Sequence, residues 1–191
     1  IPLTGDWDGD GTDEVGVWRP SRQWFMLDAN ANDRWDGPTG GDLWVTFGAP
    51  GDLPVIGDWD GDGNDNIGVW RPATRQFLLD SNGSLSWDAG DIEARYGQGT
   101  DLPLAGDWDG DGTDEIGVWR PGNRRFILES NRSFVRETGD TAVTFGLSGD
   151  RPVIGDWNAD GIDNIGVWRP SSRQFILDAN NSFKQDGGDI V

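Results

Sequence analysis

Gly5-Asp6-Trp7-Asp8-Gly9-Asp10-Gly11-Thr12-Asp13-Glu14-Val15-Gly16-Val17-Trp18-Arg19-Pro20 is the stretch on which the reading of this chain turns. Its first half returns at Gly57, at Gly106 and, as Gly155-Asp156-Trp157-Asn158-Ala159-Asp160-Gly161, once more, at offsets of 52, 49 and 49 residues. Its second half returns as Gly-Val-Trp-Arg-Pro at Gly68, Gly117 and Gly166. A fixed period of this length is the mark of a repeat architecture. The repeats run over 5–56, 57–105, 106–154 and 155–191, the last of them short, within one repeat domain spanning 1–191. The three extra residues of the first copy fall between Leu27 and Phe47, which reads as a longer loop.

Each repeat holds short apolar and aromatic runs separated by Gly, Asn, Asp and Pro, and none shows a helical period. In the second copy the expected strands are Ile67–Arg71, Gln76–Asp80, Ile92–Tyr96 and Leu102–Ala105. Four short strands in a unit of this size match a β-propeller blade. The fold expected is therefore all-β: four tandem four-stranded antiparallel repeats, closing a small propeller or forming part of a larger array. Val15 and Val17 face one side of their strand while Gly16 and Trp18 face the other, so neither side is polar, as suits a blade between neighbours. Ile1-Pro2-Leu3 matches Leu53-Pro54-Val55, the last strand of a repeat, so residues 1–4 are expected to complete the short fourth repeat, unless a neighbouring chain does so. An Ile at position 1 suggests that further sequence precedes it.

Composition narrows the chemistry. The chain of 191 residues has 34 acidic against 15 basic side chains, a net charge of -19, and neither Cys nor His. That charge disfavours nucleic acid and anionic membrane surfaces, which are bound through Lys and Arg. Thiolate and imidazole chemistry, disulfides and the usual zinc sites are absent. No apolar run is long enough to insert in a bilayer. The acids are 29 Asp to 5 Glu, and 17 of the 34 fall in the four repeated loops, which favours cation sites over a uniformly acidic, salt-tolerant surface.

Carboxylates at alternate positions one, three and five, Gly at six and a backbone carbonyl at seven are how a tight loop supplies oxygen ligands to a hard cation. The candidate ligands are Asp6, Asp8, Asp10, Thr12, Asp13 and Glu14; Asp58, Asp60, Asp62, Asn64 and Asp65; Asp107, Asp109, Asp111, Thr113, Asp114 and Glu115; and Asp156, Asn158, Asp160, Ile162 and Asp163. Ile162 at position seven can offer only its carbonyl. A single Asp-rich turn is ordinary turn chemistry; four at constant spacing favour up to four bound Ca²⁺, preferred over Mg²⁺ because the loops offer so many protein oxygens. Position twelve, a bidentate Glu in an EF-hand, is Val17, Val69, Val118 or Val167 here.

With Phe47-Gly48-Ala49-Pro50, Tyr96-Gly97 and Phe145-Gly146, the Asp-rich loop followed by a short strand resembles the FG-GAP/VCBS-type repeats of integrin α-subunit propellers and microbial surface proteins. The resemblance implies calcium-stabilised blades in an extracellular or cell-surface protein with an adhesive, ligand-binding or structural role, and no catalysis. Partners implied are protein or glycan ligands and further copies of the module, in filaments among other forms. In that family the loop commonly ends on an Asp at position nine. Here position nine is Glu14, Asn66, Glu115 or Asn164, whereas position eight is acidic throughout, so Asp13, Asp65, Asp114 and Asp163 are expected to supply the last ligand or to anchor the strand from outside. The fourth loop, with Asn158 and Asn164, is expected to bind most weakly.

Eight of the twelve Trp occupy two positions of the repeat and are expected to pack between units. Arg19, Arg71, Arg120 and Arg169, between Trp and Pro, are expected to stack or to pair with a carboxylate. Trp24, Trp35, Trp44 and Trp87 are read as non-recurring and are the candidates for a second reading, a carbohydrate-binding propeller. Asn82, Asn131 and Asn180 fit the N-glycosylation pattern but lie where turn residues are expected. A glycosidase with two carboxylates finds little support, since the acids belong to repeated loops.

Overall fold

The computed structural model describes residues 1–191. Every regular element is a strand. The first sheet contains β1 (Pro2–Gly5), β2 (Glu14–Arg19), β3 (Trp24–Leu27) and β4 (Leu43–Thr46), and the second β5 (Leu53–Gly57), β6 (Asn66–Arg71), β7 (Gln76–Leu79) and β8 (Ile92–Arg95). The third contains β9 (Leu102–Gly106), β10 (Glu115–Arg120), β11 (Arg125–Leu128) and β12 (Thr141–Thr144). The fourth has β13 (Arg151–Gly155), β14 (Asn164–Arg169) and β15 (Gln174–Leu177), with a single bridge from Leu177 to Ile190 where the other sheets have a fourth strand. All pairings are antiparallel between neighbours in sequence, giving four tandem blades of the propeller type. Two compact units hold them, Ile1–Arg95 and Tyr96–Val191.

The sheets are offset from the sequence repeats by one strand. Leu102–Gly106, read from sequence as the last strand of the second repeat, instead pairs with Glu115–Arg120 across the Asp-rich loop. Pro2–Gly5 likewise pairs with Glu14–Arg19 and completes the first sheet, not the fourth. The boundaries drawn at Gly57, Gly106 and Gly155 therefore cut through hairpins, because a strand that precedes a tight loop is held by the strand that follows it.

Each sheet presents two unlike apolar sides. In the first unit Trp18, Phe25, Leu27, Val45 and Phe47 of the first sheet pack on Ile67 and Val69 of the second. In the second unit Trp119, Phe126, Leu128 and Phe145 of the third sheet pack on Ile165, Val167 and Ile176 of the fourth. An aromatic side thus meets an aliphatic side in both. Of the eight repeated Trp, five are buried, Trp7, Trp18, Trp59, Trp70 and Trp119, as packing residues should be. Ile67 and Val69 in the second sheet and Ile165 and Val167 in the fourth, the counterparts of Val15 and Val17, are buried as expected for an aliphatic packing side, whereas Val15 and Val17 themselves are exposed.

Gly16, Gly68, Gly117 and Gly166 recur because the strand's aromatic side leaves no room for a side chain. A Cβ on Gly68 would lie 2.8 Å from Leu79 Cδ2 and 3.0 Å from Val55 Cγ1. Gly68→Ala is expected to cost about 1–3 kcal/mol, the usual penalty of overpacking. Gly122→Ala, with nothing within 4 Å of the new methyl, should stay within about 0.5 kcal/mol of the parent. Urea unfolding midpoints of the two variants check both.

Candidate metal centre

The Asp-rich loops close the hairpins β1–β2, β5–β6, β9–β10 and β13–β14. The first Asp of each folds back over its own loop. Asp6 accepts hydrogen bonds from the N–H groups of Gly9 (2.7 Å), Asp10 (3.2 Å) and Gly11 (2.7 Å). Asp58 does the same with Gly61, Asp62 and Gly63, and Asp107 with Gly110, Asp111 and Gly112. The turn needs φ of 76° at Gly9 and 87° at Gly11, the left-handed region that Gly enters without cost. The fifth-position carboxylate accepts from the N–H of position seven in every loop: Thr12, Asn64, Thr113 and Ile162.

This wrapping gathers carboxylate oxygens. Those of Asp6, Asp8 and Asp10 lie within 4.8 Å of one another, as do those of Asp58, Asp60 and Asp62. In the third loop the gathered group is Asp107, Asp109 and Glu115. In the fourth, Asn158 donates its amide to Asp160 (3.0 Å) and to the Ala179 carbonyl (2.9 Å), so charge is lower and the loop is tied internally.

Positions eight and nine separate cleanly. β2 begins at position nine, so the two side chains leave opposite faces of the strand. Position nine turns toward its own loop: Glu14 accepts from Trp7 N–H (3.1 Å) and Glu115 from Trp108 N–H (3.2 Å). The other oxygen of Glu115 is buried without a hydrogen-bond partner, as is Asn66 Oδ1 and the whole amide of Asn164. Position eight instead reaches the preceding sheet. Asp65 accepts from Asp6 N–H (2.9 Å) while its own N–H donates to the Asp6 carbonyl (2.7 Å), and Asp163 clasps Asp107 in the same two-bonded way (3.2 and 2.8 Å). Asp65 and Asp163 thus anchor the preceding loop from outside, one of the two duties expected of position eight, while in the third loop the acid gathered with Asp107 and Asp109 is Glu115.

A buried carboxylate gathered with two others, one of its own oxygens without a hydrogen-bond partner, fits a cation or a proton. Burial, with the charges of Asp109, Asp107 and Asp111 added, pushes Glu115 up to about 8. Burial, with the charges of Asp8, Asp10 and Asp6 added, raises Glu14. Burial pushes Asp65 up to about 6, against the opposing hydrogen bond from Asp6 N–H, with Asp13, Asp58 and Asp6 adding to the rise.

Other repeated acids have structural work that the sequence reading passed over, although they share its spacing. Asp52, Asp101 and Asp150 each bind a guanidinium in two places, from Arg71, Arg120 and Arg169, with closest contacts of 2.8 Å. Asp80, Glu129 and Asp178 are buried and accept the N–H of Ser84, Ser133 and Ser182. In these same loops Asn82, Asn131 and Asn180 donate their amides to Asp88, Glu137 and Asp186 (3.0, 2.6 and 3.0 Å), so the glycosylation-pattern asparagines serve as turn residues.

Among the remaining Trp, Trp35 and Trp87 prove equivalent, each preceding the Asp (Asp36, Asp88) whose N–H closes the loop on Asp42 or Asp91. Trp24 and Trp44 meet edge to face at 4.7 Å, with the Arg22 guanidinium 4.7 Å above Trp24. Trp87, half exposed, lines a groove of about 400 Å³ with Phe47, Arg71, Gln76 and Glu93. Compared with family models, with curated proteins and with solved structures, the chain matches none.

The raised carboxyls set a pH dependence. Because folded Glu115 and Asp65 hold protons more tightly than the free groups at 4.5 and 3.8, their stabilisation is complete at low pH and is lost as pH climbs through about 6 and then about 8. In excess chelator, stability should fall between about pH 4 and pH 8, and Glu115→Gln should remove the upper part of that fall. Urea midpoints across this range that stay flat would contradict the arrangement.

Proposed function

We propose that this chain is a non-enzymatic, calcium-binding structural or adhesive module of the extracellular space, whose Asp-rich loops take Ca²⁺ to hold the blades together. The observation that carries the reading is the third loop, where buried Glu115 leaves one oxygen unpartnered beside Asp107 and Asp109. Asp6, Asp8, Asp10 and Glu14 would hold an ion in the first loop and Asp58, Asp60 and Asp62 in the second; Asp107, Asp109, Asp111 and Glu115 would do so in the third. Asp156, Asn158 and Asp160 would form the weakest site. Hard oxygen donors in such number suit Ca²⁺ better than Mg²⁺, which keeps several of its waters. The resemblance to FG-GAP/VCBS-type repeats supports the same reading and the extracellular setting, where calcium is plentiful enough to fill weak sites. Since the folded loop alone gathers the ligands, binding is coupled to folding.

An ion at a hundred times its Kd stabilises by about 2.7 kcal/mol per site, about 5–10 °C in Tm for a chain of this length. Addition of EDTA should lower the melting temperature by at least that amount, calcium should restore it, and Asp109→Asn with Asp111→Asn should remove part of the response. A melt indifferent to EDTA would overturn the reading.

The Trp87 groove favours carbohydrate binding as a second function. A half-exposed indole beside Arg71, Gln76 and Glu93 offers a sugar both an apolar face and hydrogen-bonding edges. Glycan-array binding that Trp87→Ala abolishes, with the melting temperature unchanged, is the expected result for a lectin; an array without signal removes this reading.

A further inference from the structure

Asn82 is the only asparagine of the chain that precedes a glycine. It lies in the connection between β7 and β8, with its side chain folded over that connection: Oδ1 accepts the Ser84 N–H (3.0 Å) and Nδ2 donates to Asp88 (3.0 Å). Asn131 and Asn180 are held in the same way. The N–H groups of Ser133 and Ser182 reach their oxygens (both 3.1 Å), and their amides donate to Glu137 (2.6 Å) and Asp186 (3.0 Å). All three asparagines are exposed, and the residue after each has a positive φ, 61° at Gly83, 54° at Arg132 and 51° at Asn181. Three copies of one loop thus share the geometry around the asparagine and differ in the side chain that follows it.

A backbone nitrogen can attack the side-chain carbonyl carbon of the asparagine before it. Negative charge then gathers on Oδ1, and a hydrogen-bond donor already placed where charge develops lowers the barrier. Ser84 N–H is such a donor for Asn82. The attacking nitrogen must also be free to approach. Gly83 has no Cβ and the widest backbone freedom of any residue, whereas Arg132 and Asn181 carry a side chain beside the attacking atom.

We infer that Asn82 is a site of spontaneous deamidation, a one-way modification that loosens the second blade. The Gly83 nitrogen gives its proton to water and bonds to Asn82 Cγ; the Cγ–Nδ2 bond breaks, and Nδ2 leaves as ammonia with a proton from water, closing a five-membered succinimide. Water then opens the ring. Cleavage of the new N–Cγ bond gives aspartate, and cleavage of the bond from the Gly83 nitrogen to the Asn82 main-chain carbonyl carbon gives isoaspartate, which lengthens the main chain by one carbon. No oxidant, cofactor or cation takes part, so the inference stands apart from the calcium reading. In either product the amide that bridged to Asp88 has become a carboxylate, in a loop where the charges of Asp88 and Asp91 already bear on Asp80. Like charges so close repel. Buried Asp80 holds the N–H groups of Ser84 and Leu85, and Leu85 packs against the core shared by the first and second sheets. Loss of the Asn82 bridge therefore frees the segment that carries Leu85 and weakens that contact between sheets.

Incubation of the folded 191-residue chain at neutral and mildly alkaline pH, followed by peptide mass spectrometry and an isoaspartate assay, tests it. Asn82 should convert first, Asn180 more slowly and Asn131 most slowly, all faster at the higher pH, with isoaspartate among the products and the same order in calcium and in EDTA. Gly83→Asn, which reproduces the Asn180-Asn181 pair and keeps a residue that tolerates positive φ, should slow conversion at position 82 to the rate at Asn180. Asn82→Asp, the deamidated chain made directly, should melt below the parent. Equal rates at the three asparagines, an Asn82 that stays intact in the folded protein while protein unfolded in urea loses it, or an Asn82→Asp chain that melts with the parent would each overturn the inference.

Discussion

Carboxylates crowded into a tight hairpin loop are the constraint on which the rest of this structure depends. Two charges 4 Å apart cost about 4 kcal/mol at the effective dielectric of a protein surface, and three acids share such a space in three of the loops. The loop offsets part of this by turning its own N–H groups inward, which is why Gly9 and Gly11 adopt positive φ and why Asp6 accepts three of those hydrogen bonds. What remains, chiefly the bare oxygen of Glu115, is left to a proton or a cation. The hairpin that closes around this loop sets the register of β2, β6, β10 and β14, and through it the faces from which Trp18, Trp70, Trp119 and Trp168 leave the sheets.

Strand alternation then links the site to the packing. Position nine belongs to the face that carries Gly16 and Trp18, and points to its own loop. Position eight belongs to the face that carries Val15 and Val17, and so points to a neighbouring sheet. One hairpin thus delivers a loop carboxylate, an aromatic packing surface, an aliphatic packing surface and a clasp, each fixed by the parity of its position. This gives the blade a direction. Aromatic and aliphatic sides meet as unlike partners, and stability within each unit comes from neighbour on neighbour, as in other repeat proteins.

Much of this was legible in the residues. The alternating Asp, the Gly at position six and the Gly-Val-Trp-Arg-Pro strand located the loops and β2, β6, β10 and β14 to within a residue, because turn chemistry and local spacing are encoded there. The phase of the sheets was not legible, since Leu102–Gly106 lies as near in sequence to the strands before it as to those after; only the hairpin across the loop decides. The separate duties of Asp65 and Asn66 were hidden for a related reason: neighbours in sequence, they belong to opposite faces. Asp52, Asp80 and their counterparts were visible at the repeat spacing, but nothing in an isolated Asp says whether it binds a cation, an Arg or a backbone N–H. Tertiary context assigns those roles.

The central claim, that the acidic loops are cation sites completed by folding, is most directly tested by counting. Equilibrium dialysis against calcium, on folded protein and on protein held unfolded in urea, would give the number and strength of sites. Three stronger sites and one weaker, present in the folded protein and lost on unfolding, is the expected result. No binding to the folded chain, or equal binding to the unfolded one, would contradict it.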